Sequence, residues 1–306
     1  MRIAIMGAGA LGGLFGARLA AAGEDVTLIA RGEHLRAIRE KGLKVESPKG
    51  NLHLTAISAT DDPAEVPPVD YVLFFVKNYD LESAVHQALP MIGENTTVAT
   101  FQNGITAPNV VAGIVGAEKV LGGSARTPGY IREPGVIVHT DVLDTLIFGA
   151  IDSDQKEREE PLRAALENAG TTPILTDDIE KALWEKFVLL VATSAITTLT
   201  RLTFGEVNAE PKTKALMRQA MDEAAAVARA VRPDLPADLG AQQFAFYEKI
   251  DGQVRASMCT DLLNGKRLEL EWFSGELVRL GRLHGIQTPV HDVALAALWP
   301  YRNGSL

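Results

Sequence analysis

The stretch RIAIMGAGALGG, residues 2–13, decides the fold. After Arg2, residues 3–6 are apolar and partly β-branched, as a short strand requires. Gly7, Gly9 and Gly12 follow in the spacing G-x-G-x-x-G. The first glycine permits a tight turn, the second lets backbone approach a pyrophosphate, and the third lets a helix pack closely on the strand. The helix that begins there presents free N–H groups and the positive end of its dipole to an anion. Gly7, Ala8, Gly9, Ala10, Leu11 and Gly12 are therefore the candidate dinucleotide contacts.

Working outward, LFGARLAAAG (14–23) reads as the helix, which Gly23 can end, and DVTLIA (25–30) as a second strand. Sites for NAD usually carry an acid at the end of that strand to hold the ribose hydroxyls. Here Ala30 and Arg31 stand instead, with Glu33 nearby. A guanidinium forms charge-assisted bonds to a 2′-phosphate, so NADP(H) is the expected cofactor.

The α/β rhythm continues. VDYVLFFVK (69–77) is a near-continuous apolar strand, as in a parallel sheet covered on both faces, and TTVATFQNGI (96–105) is another. Lys77 and Asn103 fall at their carboxyl ends, where open α/β sheets gather functional residues. TPGYIREPGVIVHT (127–140) and DTLIFGA (144–150) read as an antiparallel tail of the same sheet, with Pro-Gly turn signals. Asp177 or Asp178 can cap the helix that follows. The expected domains are 1–176, which binds the dinucleotide, and 177–306, which is helical, with helices over 178–200, 208–231, 239–258 and 261–284.

The first of these helices contains WEKFVLLVATSAITTLTR, residues 184–201. Lys186 sits there among Phe187, Val188, Leu189, Leu190 and Val191. Leu190 and Ser194 lie near the same helical face, because four residues advance about 400°. A cation in such a run either snorkels to water or serves as an acid aimed at a reacting oxygen.

Composition narrows the function. The chain has 306 residues and a formal charge of −9, which makes nucleic acid a poor partner. The lone Cys259 rules out an internal disulfide framework, and the scattered histidines show no metal-ligand spacing, so no metal is expected. Glycines interrupt the first apolar run too often for a good signal peptide. No run of 18 apolar residues follows, so a cytoplasmic protein without a membrane span is expected.

Taken together, GAGALGG at 7–13, Arg31, VK at 76–77, QNG at 102–104, WEK at 184–186, SM at 257–258 and RLELE at 267–271 make the chain resemble the ketopantoate reductase (2-dehydropantoate 2-reductase) family over nearly its whole length. The resemblance implies a Rossmann-type α/β domain, then an all-α C-terminal domain like that of 6-phosphogluconate dehydrogenase. It implies NADPH-dependent reduction of a 2-oxo acid to a 2-hydroxy acid. Lys186 then matches the general acid, and Glu269 the glutamate that holds the substrate hydroxyl. Ser257 matches a serine at the substrate's end, Asn103 an asparagine near nicotinamide and substrate, and Lys77 a lysine lining the site. Lys77, Asn103 and Glu269 count among the implied cofactor contacts as well. The implied partners are a small 2-oxo acid and a second copy of the chain in a homodimer.

One departure bears on the substrate. The family commonly carries asparagines four and eight residues after the lysine, where this chain has Leu190 and Ser194. Leucine has no side-chain hydrogen bond to offer. Ser194 is the candidate replacement contact. A more apolar oxo acid or an imine is the alternative substrate, and a non-catalytic NADP-binding sensor the alternative class.

Overall fold

The structure is a computed structural model that describes residues 1–305. The chain divides into two compact units, Met1–Ala182 and Leu183–Leu306. The first contains β1 (Arg2–Met6), α1 (Ala10–Ala21), β2 (Asp25–Ile29), α2 (Gly32–Lys41), β3 (Leu43–Glu46), β4 (Leu52–Leu54), β5 (Ser58–Thr60), β6 (Tyr71–Phe74), α3 (Asn78–Ala88), β7 (Thr97–Thr100), α4 (Ala107–Val115), β8 (Val120–Arg126), β9 (Gly129–Glu133), β10 (Val136–His139), β11 (Thr145–Ala150), α5 (Glu159–Asn168) and β12 (Thr172–Leu175).

Eight strands make the main sheet, in the order β12-β11-β8-β7-β6-β1-β2-β5. From β5 to β8 all neighbours run parallel. These six strands have the order 3-2-1-4-5-6 of a dinucleotide-binding doubly wound sheet. The order reverses at β1, between β2 and β6, so the crevice for a ligand opens beside the glycine turn that follows β1. β6 and β7 are buried along their whole length, because helices cover both faces. One face of the core holds Ile3, Ile5, Phe15, Leu28, Leu73 and Phe148. The other holds Met6, Val72, Phe74, Val98 and Val111.

β11 pairs antiparallel with β8, as DTLIFGA suggested. β9 and β10 do not extend that sheet. They form a second, four-stranded sheet in the order β4-β3-β10-β9. The Pro-Gly signal at 134–135 specified the hairpin but not its partner. That partner is β3, which lines up with β10 in parallel and sets Val45 opposite Ile137. This small sheet packs on α1, and a Cβ at Gly13 would stand 2.2 Å from Ile137 Cδ1. A side chain at 13 would have to displace the end of Ile137.

Asp177 and Asp178 mark a helix start, and the division between the units falls about one turn into that helix. Asp178 is the cap, with Oδ1 accepting the Lys181 N–H at 3.0 Å. The helix, α6 (Ile179–Thr200), is followed by α7 (Phe204–Ala209), α8 (Pro211–Val231), α9 (Leu239–Tyr247), α10 (Ser257–Leu263), α11 (Glu276–His284) and α12 (Pro289–Leu298). By length and composition α6 could cross a membrane, but most of it is buried inside the protein, as in a core helix. Its Ala192 and Ile196 pack with Met217, Met221, Phe244 and Tyr247.

Two expected helices are broken. The helix expected over 239–258 stops at Tyr247, because the next segment pairs by backbone with the start of α7: Phe204 N–H to Val254 O at 2.9 Å and Gly205 N–H to Gly252 O at 2.8 Å. The helix expected over 261–284 is interrupted after Leu263, near Gly265 with its φ of +62°. It resumes as a π turn at Glu271–Gly275 that leads into α11.

Candidate active site

The glycine turn is built for an anion. Gly7 has a φ of +95°, and a Cβ there would lie 2.7 Å from Val76 Cγ1 and 2.9 Å from Val76 N. No other residue fits. The N–H groups of Gly7 and Ala8 both donate to Ile29 O, at 3.2 and 2.9 Å, and that of Gly9 donates to Gly7 O at 2.8 Å. The first helical bond runs from Gly13 N–H to Gly9 O. Among the described residues, the N–H groups of Ala10, Leu11 and Gly12 find no backbone acceptor. Gly9 caps the helix, and no acidic side chain occupies the first turn. A Cβ at Gly9 would meet nothing within 4 Å, whereas one at Gly12 would stand 2.2 Å from Gly7 O. Gly12 holds helix against turn, and Gly9 leaves room beside it. Free donors, a positive helix end and open space together fit a pyrophosphate.

Arg31 caps α2 and is exposed. Its Nη2 donates to Gln87 Oε1 on α3 at 2.8 Å. Glu33 is paired with Arg36 instead, so the nearby acid does not neutralise Arg31. Gln87 went unrecognised in the sequence, since a glutamine on a helix carries no motif.

Lys77 caps α3 at the end of β6 and is half-buried. Asn103 follows the neighbouring parallel strand β7. Two side-chain bonds stitch these strand ends: Asn78 Nδ2 donates to Asn103 O at 2.7 Å, and Gln102 Nε2 to Val76 O at 3.2 Å. The structure thus brings Lys77 and Asn103 to one edge of the sheet, the edge that carries the glycine turn. Phe75 stacks between Phe15 and Phe101 beneath them.

In the helical unit, Lys186 is partly exposed while Trp184, Phe187 and Val188 beside it are buried. Further along α6, Thr193 and Thr197 return their hydroxyls to the carbonyls of Leu189 and Thr193, one turn back, at 2.8 and 2.7 Å. Ser194 and Thr198 do not, and their buried hydroxyl oxygens have no partner among the described residues. Buried hydroxyls left this way call for a water or ligand atom.

Ser257 is the exposed first residue of α10. Cys259, two residues on, is buried, and burial raises its pKa more than the nearby Thr197 side chain lowers it. That nearness sets the start of α10 against the C-terminal half of α6. Such a thiol is a packing group, not a nucleophile.

Glu269 differs from expectation. A helix was expected over 261–284, but Glu269 lies outside any helix and is only 3% exposed. The segment is pinned by Leu268 N–H to Arg302 O at 2.9 Å, and Gly275 N–H to Leu270 O at 3.0 Å then closes the π turn. Buried carboxylates persist only where donors meet their charge, and π turns are frequent at functional sites. Among the described residues no group of three or more His, Cys, Asp or Glu is arranged to hold a metal.

Residues 3–153 match the family model described as ketopantoate reductase PanE/ApbA, and residues 178–301 match its C-terminal counterpart. A 2-dehydropantoate 2-reductase of Halobacterium salinarum is 33% identical, with 95% of each chain covered. One of Mesorhizobium japonicum is 30% identical over 97% of this chain and 96% of its own. The crystal structure of a PanE/ApbA family ketopantoate reductase from Ralstonia eutropha superposes with a TM-score of 0.90 at 31% identity, covering 99% of this chain and 98% of that one. The chain belongs to the ketopantoate reductase family of oxidoreductases, and its first unit is a Rossmann domain for a nicotinamide dinucleotide.

Proposed function

We propose that the protein reduces a 2-oxo acid to a 2-hydroxy acid with NADPH, with ketopantoate as the first substrate to test. The observation that carries this is Lys186, a partly exposed ammonium among buried apolar neighbours in a chain that also has an open glycine turn. Gly7 to Gly12 would hold the pyrophosphate and Arg31 the 2′-phosphate. When bound, the reduced nicotinamide supplies a hydride to C2 of the oxo acid. Negative charge then develops on the carbonyl oxygen. Lys186 donates a hydrogen bond to that oxygen and then the proton, which completes the alcohol. Ser257 and Asn103 hold the substrate, Glu269 orients its hydroxyl, and Lys77 contributes beside Asn103.

Leu190 supports a second reading. It is partly exposed on the Lys186 face and offers no hydrogen bond. The unpartnered Ser194 hydroxyl is then the polar contact left on that face. This favours a 2-oxo acid more apolar than ketopantoate. The deciding experiment is a screen of NADPH oxidation over 2-oxo acids of graded polarity, ketopantoate included. Turnover with at least one is expected. No turnover with any of them, alongside intact NADPH binding, would leave a nucleotide sensor instead.

A further inference from the structure

The geometry points to Ser274 and His291 as positioning residues for Glu269, which they serve by fixing the π turn that follows it. All of these residues lie in the second unit. His291 Nε2 lies 3.0 Å from Ala220 O on α8. A carbonyl can only accept, so this nitrogen carries the ring proton and donates it. Burial lowers the pKa of His291 to about 4, which keeps the ring neutral at pH 7. Its Nδ1 then offers a lone pair, and the Ser274 hydroxyl donates to it at 3.3 Å. Both side chains are fully buried, so neither bond competes with solvent.

Ser274 sits inside the turn Glu271–Gly275. That turn closes back on the residues just before it. Phe273 N–H donates to Glu269 O at 3.1 Å, and Gly275 N–H to Leu270 O at 3.0 Å. Glu269 thus lies between two anchors, the bond from Leu268 N–H to Arg302 O and the turn itself. Backbone bonds set the shape of the turn, whereas the Ser274–His291 bond sets where it sits against α12. The base of that bond is rigid as well. Val290 N–H reaches both carboxylate oxygens of Glu223 at 3.1 Å, and His291 N–H reaches Oε2 at 3.3 Å, which ties the start of α12 to α8. A path of bonds therefore runs from α8 through His291 and Ser274 to the backbone of Glu269. A catalytic group displaced by about 1 Å can lose up to 10² in rate, so a carboxylate acts only as well as its backbone is held. This inference rests on the reading in which Glu269 orients the substrate hydroxyl.

The test is a double-mutant cycle of Ser274→Ala and Glu269→Ala, read as kcat/KM for the 2-oxo acid that wild type turns over fastest, beside the dissociation constant for NADPH. Ser274→Ala should lower kcat/KM about fivefold, the size of one lost hydrogen bond, with NADPH binding unchanged. In the Glu269→Ala background the same substitution should change kcat/KM by less than about twofold, because no carboxylate is left to aim. A merely structural serine would give its full loss in both backgrounds, and that result would overturn the proposal. So would wild-type kcat/KM in Ser274→Ala. If Ser274→Ala does not fold, Ser274→Cys takes its place in the cycle, as a weak donor of similar size. Its loss should be about twofold beside Glu269 and absent without it, and equal values in both backgrounds refute the positioning. Glu269→Ala with wild-type kcat/KM would instead sink the role of the carboxylate, and a wild type that turns over no 2-oxo acid the reading of the whole site; either takes this inference with it.

Discussion

Arg31 is held by Gln87: the guanidinium donates to the glutamine oxygen at 2.8 Å, while the neighbouring Glu33 is engaged by Arg36. The cation at the end of β2 therefore stays available to a phosphate, with its side chain braced from α3. Charge-assisted hydrogen bonds contribute about 1.5–3 kcal/mol. Arg31→Ala should raise KM for NADPH by roughly 10- to 100-fold and leave KM for NADH almost unchanged. Gln87→Ala should show the same selectivity at about fivefold. Steady-state kinetics with both nucleotides check this, and equal effects on the two would remove the 2′-phosphate assignment.

Lys186 is the second target. General acids of this kind contribute about 10²–10⁴ in rate. Lys186→Ala should lower kcat within that range while the dissociation constant for NADPH stays near wild type. Near-normal turnover of the variant would eliminate the acid role.

Gly9 and Gly12 should behave oppositely. A methyl at Gly9 meets nothing within 4 Å, so Gly9→Ala should melt like wild type and bind NADPH about tenfold more weakly, a loss of about 1.4 kcal/mol. A methyl at Gly12 would stand 2.2 Å from a backbone carbonyl, so Gly12→Ala should cost about 1–3 kcal/mol of stability. Thermal melts beside cofactor titrations separate the two. Weak binding without instability at Gly12, or instability at Gly9, would contradict this account of the turn.

Stability should depend on pH through His291. Its Nε2 meets Ala220 O at 3.0 Å, and burial lowers its pKa from 6.5 to about 4. Above pH 6.5 the ring is neutral whether the chain is folded or not. As pH falls from 6.5 to 4, the unfolded chain takes up the proton and the folded chain does not. Stability is lost across that window, by about 3 kcal/mol at most, with no further loss from this group below it. Urea titrations at several pH values should show the slope, and His291→Gln should flatten it. An unchanged slope in the variant would assign the effect to other groups.

The sequence and the structure part company in particular places. The glycine spacing and the apolar strands were legible because turn geometry and two-sided burial constrain residue type at each position. The placement of β9 and β10 was not, because a hairpin signal is local and its partner β3 lies far back in the chain. The helix expected over 261–284 missed the irregular segment that carries Glu269, because nothing local reveals that this segment is pinned by Arg302 O. Gln87 carries no motif, and its role comes only from what the fold sets beside it. Lys186 stood out as a cation in an apolar run, whereas the role expected of Ser257 came from family resemblance alone.

The parallel pairing of β10 with β3 also has a consequence for biogenesis. During synthesis the β3–β4 hairpin leaves the ribosome well before its central neighbour, which follows roughly ninety residues later. Until then Leu43 and Val45, both fully buried in the finished protein, lack the strand that completes their sheet. A nascent chain stalled at Arg126 would already contain all six parallel strands, yet it would display an unpaired strand edge. Such an edge invites aggregation, so stalled or truncated chains of this length should be the ones that chaperones retain.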